Sequence, residues 1–448
     1  MSLPTYPKYK DSGIDWVAEL PAHWGIASLK WLCQRYSGGT PDKNRPEYWE
    51  EGTIPWLNSG AVNDGRIYEP SAFITQAAFE NSSAKWIPSG ALVMALAGQG
   101  KTKGMVAQLM IESTCNQSMA AIVLNELVNA RFTYWWLACN YQNIRNMAGG
   151  DLRDGLNLEL LGTIPCLLPP LFEQSIIAAF LDRETAKIDA LIAAQEKLVV
   201  LLTEKRQATI SHAVTHGLNP DAPMKDSGVA WLGYVPAHWR VVPLKRLLAD
   251  VKAGPFGSAL TKEMYVASGY RVYGQEQVIP ADFSVGDYYI DDSKYTELQQ
   301  YSVRAGDILI SCVGTFGKIA IVPENAEPGI INPRLIRVRV GANLSGRYLE
   351  AVLRSSVVFE QFSMVSRGGT MDVINIGTLN AVTLAVPPMR EQEDLLAFLD
   401  EETTKLDQLK SEAERAIDLL KERRSALIAA AVTGKIDVRN AVPQELAA

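Results

Sequence analysis

The sequence predicts an α+β protein in which two mixed α/β domains, related by an internal repeat, are separated by two long helices packed as an antiparallel coiled coil. Three observations support this fold class. Two blocks of sequence recur in the same order, the second block lacks proline and glycine over residues 171–215 and 389–433, and short β-rich runs fill the regions between the blocks.

The repeat is read directly from the two blocks. Residues 9–34 align without gaps to 224–249 with 12 of 26 positions identical, and both copies contain the run Pro-Ala-His-Trp. Residues 169–215 align to 387–433 with 23 of 47 positions identical. Self-similarity at a nearly fixed offset is typical of a duplicated architecture. We therefore expect a first domain over 1–168, a first helix over 169–217, a second domain over 218–386, and a second helix with a C-terminal tail over 387–448.

The domains themselves diverge, since residues 35–160 and 250–380 share little beyond glycine-rich turns. Runs bounded by Gly, Pro, Asn and Asp predict strands at Leu92–Ala97, Met119–Leu124, Arg271–Tyr273, Asp307–Ser311, Ile319–Val322 and Leu335–Val340. Helices are expected over Arg131–Asn146 and Ser345–Phe362, packed on a small curved sheet in each domain. Two interpretations of this divergence are open. The domains drifted apart after an old duplication, or they are related modules that contact different targets.

The repeated helices carry apolar residues at spacings of 4, 7, 3, 7 and 4, which follow a heptad seam. The predicted seam consists of Ile177, Leu181, Ile188, Leu191, Leu198, Leu202, Leu395, Leu399, Leu406, Leu409, Leu420 and Leu427. A double proline precedes each helix, and Gly217 and Gly434 lie where each helix should end. Two such helices in one chain can bury each other's seam. A purely structural, scaffolding role for the pair remains open at this point.

Composition excludes several classes of protein. Hydrophobic residues make up 47% of the 448 positions, no apolar run is long enough to span a membrane, and no hydrophobic signal core is seen near the start. The five cysteines are scattered and form no CxxC pair, so neither a disulfide framework nor a zinc site is expected. The net charge is −7, of which the two helical blocks contribute −1 and −4. These features favour a cytoplasmic protein and leave a basic face on the domains open.

Motifs for catalysis are not found. The run Ala95–Thr102, ALAGQGKT, resembles a phosphate-binding loop but has alanine at the first glycine position, which favours a glycine-rich strand–turn–strand instead. Only four histidines occur, and the divergent regions contain none of them. No set of nucleophile, base and orienting residue can be assembled. We therefore expect no catalytic residue, no metal ligand and no cofactor bound by this chain.

What remains is a set of polar and basic side chains beside aromatic residues on predicted loops. Arg, Lys, Asn and Gln are the residues that contact base edges, and Lys and Arg also contact phosphates. The DNA-binding candidates are Lys43, Arg45, Asn58, Lys101, Lys103, Asn116, Gln117, Lys262, Gln275, Gln277, Thr315, Lys318, Arg334 and Arg367. For any one of them a solvated loop position is the simpler interpretation.

The repeated motifs resemble those of a known family. Four features carry the resemblance: the pattern K-D-S-G-x-x-W followed by P-A-H-W, the strand Asp307–Ile310 with its Gly-rich turn, the run Arg367–Thr370, and P-P-x-x-E-Q with A-F-L-D beginning five residues after the glutamine in each copy. Together they resemble specificity subunits of type I restriction–modification systems. The first half departs from the pattern, with Met147–Gly150 in place of R-G-G-T.

This resemblance implies two target-recognition domains, each reading half of a split, asymmetric site in double-stranded DNA. It also implies helices that set the gap between the half-sites and dock two methyltransferase subunits, with restriction (translocase) subunits able to join. S-adenosylmethionine, ATP and Mg would then bind to the partners. On this view the repeated blocks stay alike because they present the same surface to identical partners. The alternatives are a scaffold or inhibitor-type interaction protein that no longer reads DNA, and a fused enzyme with an unrecognised site.

Overall fold

The structure, a computed structural model, describes residues 3–98, 101–147, 155–312, 318–358, 361 and 374–441. Contacts divide the chain into two compact units. The first unit comprises Met1–Gln195 with Arg415–Ala448, and the second comprises Glu196–Glu414. Each long helix contributes one part to each unit, so the duplicated blocks and the compact units do not coincide.

The first unit holds twelve described strands and the start of a long helix. The strands are β1 Tyr9–Ile14, β2 Val17–Pro21, β3 Gly25–Ser28, β4 Cys33–Ser37, β5 Ile54–Leu57, β6 Arg66–Ile67, β7 Ala72–Ile74, β8 Leu92–Ala95, β9 Val106–Leu109, β10 Thr114–Cys115, β11 Met119–Leu124 and β12 Pro165–Leu168. The helices are α1 Gln76–Glu80, α2 Ala130–Cys139, α3 Tyr141–Asn146, α4 Leu158–Thr163 and α5 Leu171–His216. A five-stranded sheet has the order β4-β11-β8-β9-β6, a second sheet has the order β10-β5-β7, and β1-β2 and β12-β3 form separate pairs.

The second unit repeats this plan with different lengths. Its strands are β13 Met224–Asp226, β14 Tyr234–Pro236, β15 Arg240–Pro243, β16 Leu248–Ala253, β17 Tyr270–Tyr273, β18 Tyr289–Ile290, β19 Ser302–Val303, β20 Ile308–Ser311, β21 Ile319–Ile321, β22 Gly329–Ile331, β23 Leu335–Val340 and β24 Thr383–Val386. Its helices are α6 Gln275–Val278, α7 Asp292–Glu297, α8 Gly346–Leu353, α9 Ile376–Ala381 and α10 Met389–Val432. The main sheets have the orders β16-β23-β20-β21 and β18-β17-β22-β19.

Each domain therefore contains two main sheets, where the sequence predicted one small sheet. In the second unit a buried arginine ties the two sheets together. Arg337 on β23 is 1% exposed, and it hydrogen-bonds Asp250 on β16 and the backbone carbonyl of Ser302 on β19. Desolvation lowers the pKa of the Arg337 guanidinium, while Asp250 and Asp307 favour its charged form. Such a residue would not have been placed inside the domain by hydrophobic periodicity.

The predicted strands are confirmed to within two residues, but both short helices differ. The predicted helix over Arg131–Asn146 is broken at Asn140, whose side-chain amide donates to the carbonyl of Trp136 at 2.9 Å and so competes with the helical pattern. In the second unit the predicted helix over Ser345–Phe362 is interrupted after Leu353, where the Ser355 hydroxyl donates to the carbonyl of Val352 at 2.6 Å. Both side chains satisfy carbonyls at a helix end. Residues 356–358 are helical again, and Phe362 lies outside the described residues.

A joint of the same construction fixes the ends of the long helices in each unit. In the first unit Glu173, at the start of α5, accepts from the indole Nε1 of Trp24 at 3.0 Å and from His23 at 2.8 Å. The Trp24 ring also lies against Gly434, which ends α10 with φ +72°. Position 434 requires glycine because of its positive φ and because an added Cβ would meet Trp24 at 3.0 Å.

The second unit repeats these contacts with the other helix ends. Glu391, at the start of α10, accepts from Trp239 at 2.9 Å and from His238 at 2.8 Å. The Trp239 ring packs on Gly217, which ends α5 with φ +74°. We call these two sets of contacts the first and second joints. The predicted ends of both helices at the two glycines are confirmed.

The long helices pack together and run antiparallel. In the first unit the start of α5 and the end of α10 share one core, and Arg424 pairs with Asp189 at 2.7 Å. In the second unit the end of α5 and the start of α10 share another core, and Arg206 pairs with Asp407 at 3.0 Å. Among the described residues, no helix has the length and apolar character needed to cross a membrane.

The seam differs from the predicted one in the middle of each helix. Leu191, Leu198 and Leu409 are exposed to 53%, 40% and 50%, so these three leucines do not lie in the seam. On α5 the less exposed positions are Ile188, Ile192, Gln195, Val199 and Leu202, at heptad spacings of 4, 3, 4 and 3. Of the other predicted seam residues, Ile177, Leu181, Leu395, Leu399 and Leu406 are buried, and Leu420 and Leu427 are half-buried.

Candidate nucleic-acid interface

A turn of the same geometry lies between the two sheets of each domain. In the first unit β10 runs parallel to β5, and then Asn116 begins a turn in which its Oδ1 accepts from the backbone N–H of Ser118 at 3.1 Å. In the second unit β22 runs parallel to β17, and the Oδ1 of Asn332 accepts from the backbone N–H of Arg334 at 2.9 Å. This side-chain turn is favoured by asparagine. The two domains thus keep one frame and present different residues from it.

Loops that follow neighbouring strands meet at this turn in the first unit. The hydroxyl of Thr40, on the loop after β4, donates to Oε1 of Gln117 at 2.5 Å. Lys43 and Arg45 continue that loop and are exposed, and the Arg45 guanidinium lies 5.3 Å from the Tyr48 ring centre. Asn58 follows β5, and its Oδ1 accepts from Gly60 N–H at 2.8 Å. This edge offers cationic and amide groups, although the amide oxygens of Asn58 and Asn116 are already engaged in the turns.

The second unit has a groove of about 600 Å³ at the same edge. It is lined by Lys262, Gln275 and Arg334, which were candidates from the sequence, and by Tyr265 and Tyr288. Gln275 donates to the Ser311 hydroxyl at 2.7 Å and accepts from Arg334 at 3.4 Å. An exposed arginine held by a glutamine is a suitable donor to a base edge.

The aromatic residues of this groove were missed from the sequence. The rings of Tyr265 and Tyr288 lie 5.0 Å apart, and Tyr288 is 47% exposed. Burial raises the pKa of Tyr265, and the neighbouring Tyr288 and Glu276 raise it further, so its hydroxyl remains a donor at neutral pH. Neither tyrosine belongs to a motif. Their density between residues 265 and 301 was the only available signal.

Other candidates lie elsewhere or are inaccessible. Lys101 and Lys318 are exposed on the segments that connect β8 to β9 and β20 to β21. Both strand pairs are antiparallel, as the strand–turn–strand interpretation predicts, while residues 99–100 and 313–317 lie outside the described residues. Lys103 is only 4% exposed and Gln277 only 1%, so both side chains are buried and we do not include them among the proposed DNA contacts. Gln277 instead binds the backbone at both ends of its amide, accepting from Gly274 N–H and donating to the Val285 carbonyl. Thr315 and Arg367 lie outside the described residues.

Neither a metal centre nor a reactive thiol is indicated in the parts of the chain that the structure describes. Over those ranges no group of three or more His, Cys, Asp or Glu side chains could hold a metal ion. Cys115, close to the turn of the first domain, is buried, and burial raises the pKa of its thiol to about 12. A thiol of that kind stays protonated and inert. The chemistry offered at these edges is therefore recognition by hydrogen bonds, cations and aromatic rings.

Comparison with known proteins identifies the class. Residues 21–200 and 257–417 match the family described as the type I restriction modification DNA specificity domain. The chain belongs to this family: it is a DNA specificity subunit, a non-catalytic part of a restriction–modification complex whose cofactors are bound by partner subunits.

Individual relatives agree with this assignment. The chain is 19% identical over 431 residues to the EcoKI specificity subunit of Escherichia coli strain K12, covering 93% of this chain and 90% of that one. It is 28% identical over 152 residues to the EcoR124I/EcoR124II specificity subunit of Escherichia coli, a match that spans only 37% of that relative.

Solved structures share the fold. A structure described for complex assembly of the type I R-M system superposes with a TM-score of 0.67 at 20% identity, covering 93% of this chain and 99% of that one. The HsdS subunit from Thermoanaerobacter tengcongensis superposes with a TM-score of 0.56 at 19% identity, covering 93% and 98%. At these identities the likeness concerns the fold.

Proposed function

We propose that this chain reads a bipartite, asymmetric site in double-stranded DNA, with one half-site assigned to each domain. The observation that carries the proposal is the asparagine turn common to both domains. The turns that begin at Asn116 and Asn332 have the same side-chain hydrogen bond. The next two residues differ, since they are Gln117 and Ser118 in one turn and Pro333 and Arg334 in the other. A common frame with different side chains suits two half-sites of different sequence.

The residues proposed to contact DNA fall into two groups. Gln117, Gln275 and Arg334 are suited to base edges, because amide and guanidinium groups form paired hydrogen bonds with purines. Lys43, Arg45, Lys101, Lys262 and Lys318 are suited to phosphates, which fix register without reading sequence. Thr315 and Arg367 stay in the proposal from the sequence alone.

The long helices are proposed as the spacer between half-sites. α5 has 46 residues and α10 has 44, and a helix of that length rises on the order of 65–70 Å. In this proposal the boundaries remain those expected from the repeat, with domains over 1–168 and 218–386 and helices over 169–217 and 387–448. Half-site spacing then depends on helix length.

The proposed partners are two methyltransferase subunits and, when present, restriction subunits, in a cytoplasmic complex. The internal repeat supports a partner number of two, since equivalent segments of sequence occur once in each half. This chain carries a net charge of −7, so its own attraction to phosphates is modest. Partner subunits that surround the duplex would supply further phosphate contacts. S-adenosylmethionine, ATP and Mg are assigned to those partners.

Insertion into the spacer tests the proposal. Four residues would be inserted after Gln195 on α5 and after Asp418 on α10, which lie six residues along each helix from the Asp189–Arg424 pair. This adds about 6 Å of helix, close to the rise of about two base pairs. Methylome sequencing of a host carrying the system should show a longer gap and unchanged half-site bases.

A matched control inserts the same four residues beside Asn219, in the exposed turn after α5, and should leave the gap unchanged. Changed half-site bases in the spacer variant would contradict the spacer role. A wild-type system that methylates no split motif would contradict the function itself and favour the scaffold alternative.

A further inference from the structure

A pair of arginine–aspartate contacts recurs in domains that otherwise differ. In the first unit Arg131 Nε on α2 donates to Asp182 Oδ1 on α5 at 2.7 Å. In the second unit Arg347 Nη2 on α8 lies 2.8 Å from both carboxylate oxygens of Asp400 on α10. These aspartates occupy the same position of the repeat. We call each contact a clasp, because it joins a domain helix to a long helix.

Each clasped helix is anchored at a second point. The side-chain oxygen of Gln174 accepts from the backbone N–H of Asn129, which caps α2, at 2.7 Å. The side-chain oxygen of Gln392 accepts from the backbone N–H of Ser345, which caps α8, at 2.8 Å. One anchor fixes where the domain helix begins. A second anchor further along it also fixes its direction against the long helix.

The two clasps differ in strength. Asp182 also pairs with Arg66 at 2.6 Å and accepts from the Trp135 indole at 3.0 Å. The Arg131 guanidinium lies 4.1 Å from the Tyr134 ring centre and 4.8 Å from that of Trp135, and its side chain is 17% exposed. Arg347 and Asp400 are 60% and 56% exposed. Exposed pairs contribute little, while a half-buried network resists salt and water better.

Binding of a small anion explains this cluster poorly. The cavity beside the first clasp, of about 270 Å³, is lined by the three arginines Arg66, Arg131 and Arg424. It is also lined by the three aspartates Asp64, Asp182 and Asp189, so the charges balance without a ligand. Arginines and aspartates in equal number are suited to holding the domain against the long helix through ion pairs.

We propose that Asp182 and Asp400 are positioning residues for DNA recognition. Each carboxylate holds its domain at a fixed angle on the long helices, and that angle sets which half-site spacing is accepted. The first clasp is the firmer one and dominates the selectivity for spacing. This inference rests on the proposed reading of a split site.

The test compares Asp182→Asn with Asp400→Asn in the complete complex with methyltransferase subunits. Methylation is measured on DNA substrates whose gap is native, one base pair shorter or one base pair longer. For Asp182→Asn, methylation of the altered gaps relative to the native gap should rise at least fivefold, with the half-site bases unchanged. For Asp400→Asn the rise should stay below twofold. Glu196→Gln, at an exposed position of α5, serves as the control.

Exchanging the two charges of the second clasp tests whether the ion pair itself sets the selectivity for spacing. Asp400→Arg places two cations together and should loosen spacing, whereas adding Arg347→Asp should restore the wild-type ratio. Thermal melting of every variant checks folding. A uniform loss of methylation at all gaps, or an Asp182→Asn protein with wild-type gap selectivity, would overturn the inference. Absence of any split-site methylation by the wild-type complex would instead overturn the proposed function.

Discussion

The Pro-Ala-His-Trp run is identical in the two halves, and the contacts of its tryptophan explain why. Trp24 and Trp239 are both fully buried, and each connects a glutamate that starts one long helix with a glycine that ends the other. The sequence suggested that these blocks stay alike in order to present a surface to identical partners. Their buried contacts give a sufficient structural reason, because the joint needs the same side chains at both ends.

The two joint glutamates should differ in their contribution to stability. Glu173 is 1% exposed and also accepts from the Tyr6 hydroxyl at 3.2 Å, whereas Glu391 is 31% exposed. Glu173→Ala leaves buried donors without an acceptor and should cost about 3 kcal/mol. Glu391→Ala should cost about 1 kcal/mol, because the partly exposed carboxylate leaves a space from which water can hydrogen-bond the donors that remain. Urea unfolding of the two variants measures the difference, and equal losses would contradict this account.

At the scale of elements, the sequence predicted both long helices, their ends and six of the 24 described strands, but misplaced the middle of the seam. Adjacent apolar residues such as Leu191 and Ile192, or Leu198 and Val199, allow two heptad assignments that differ by one residue. Periodicity alone cannot choose between them. The structure decides for Ile192 and Val199, since Leu191 and Leu198 are the more exposed members.

Two leucines one turn apart on α5 test the corrected seam. Leu202 is 9% exposed, and Leu198 is 40% exposed. Leu202→Ala should lower the free energy of unfolding by about 2–3 kcal/mol, through lost burial and the cavity left behind. Leu198→Ala should cost less than about 1 kcal/mol. Chemical denaturation of both variants gives the comparison, and a larger loss for Leu198→Ala would return the seam to its predicted place.

For the molecule as a whole, the sequence established duplication and family, and the candidate site only in part. Lys262, Gln275 and Arg334 line one groove as a set. Gln275 and Gln277 follow the end of β17 by two and four residues, but Gln277 is buried. Loop composition reports which residue types are present. Which way each side chain points depends on hydrogen bonds to distant backbone, such as that from Gln277 to Val285, and no local pattern reveals these.

If each domain reads one half-site, substitutions in the two domains should affect different half-sites of the DNA. Gln117→Ala should weaken discrimination in one half-site and Arg334→Ala in the other, each by about 1–3 kcal/mol for the base concerned. Because the residues belong to different units, the double variant should show the sum of the two effects. Binding titrations with substituted half-sites measure this, with Lys262→Ala as a control that weakens all sequences alike. Both variants relaxing the same half-site would contradict the assignment.

The two joints also bear on how such a gene can change over generations. Their contacts use the same residue types at both ends, so copying the Pro-Ala-His-Trp block of one half over that of the other leaves each tryptophan, glutamate and glycine matched. Recombination with crossover points in these blocks exchanges the divergent segments and disturbs neither joint. The two joints therefore permit exchange of the divergent segments without loss of the contacts that hold the helix ends.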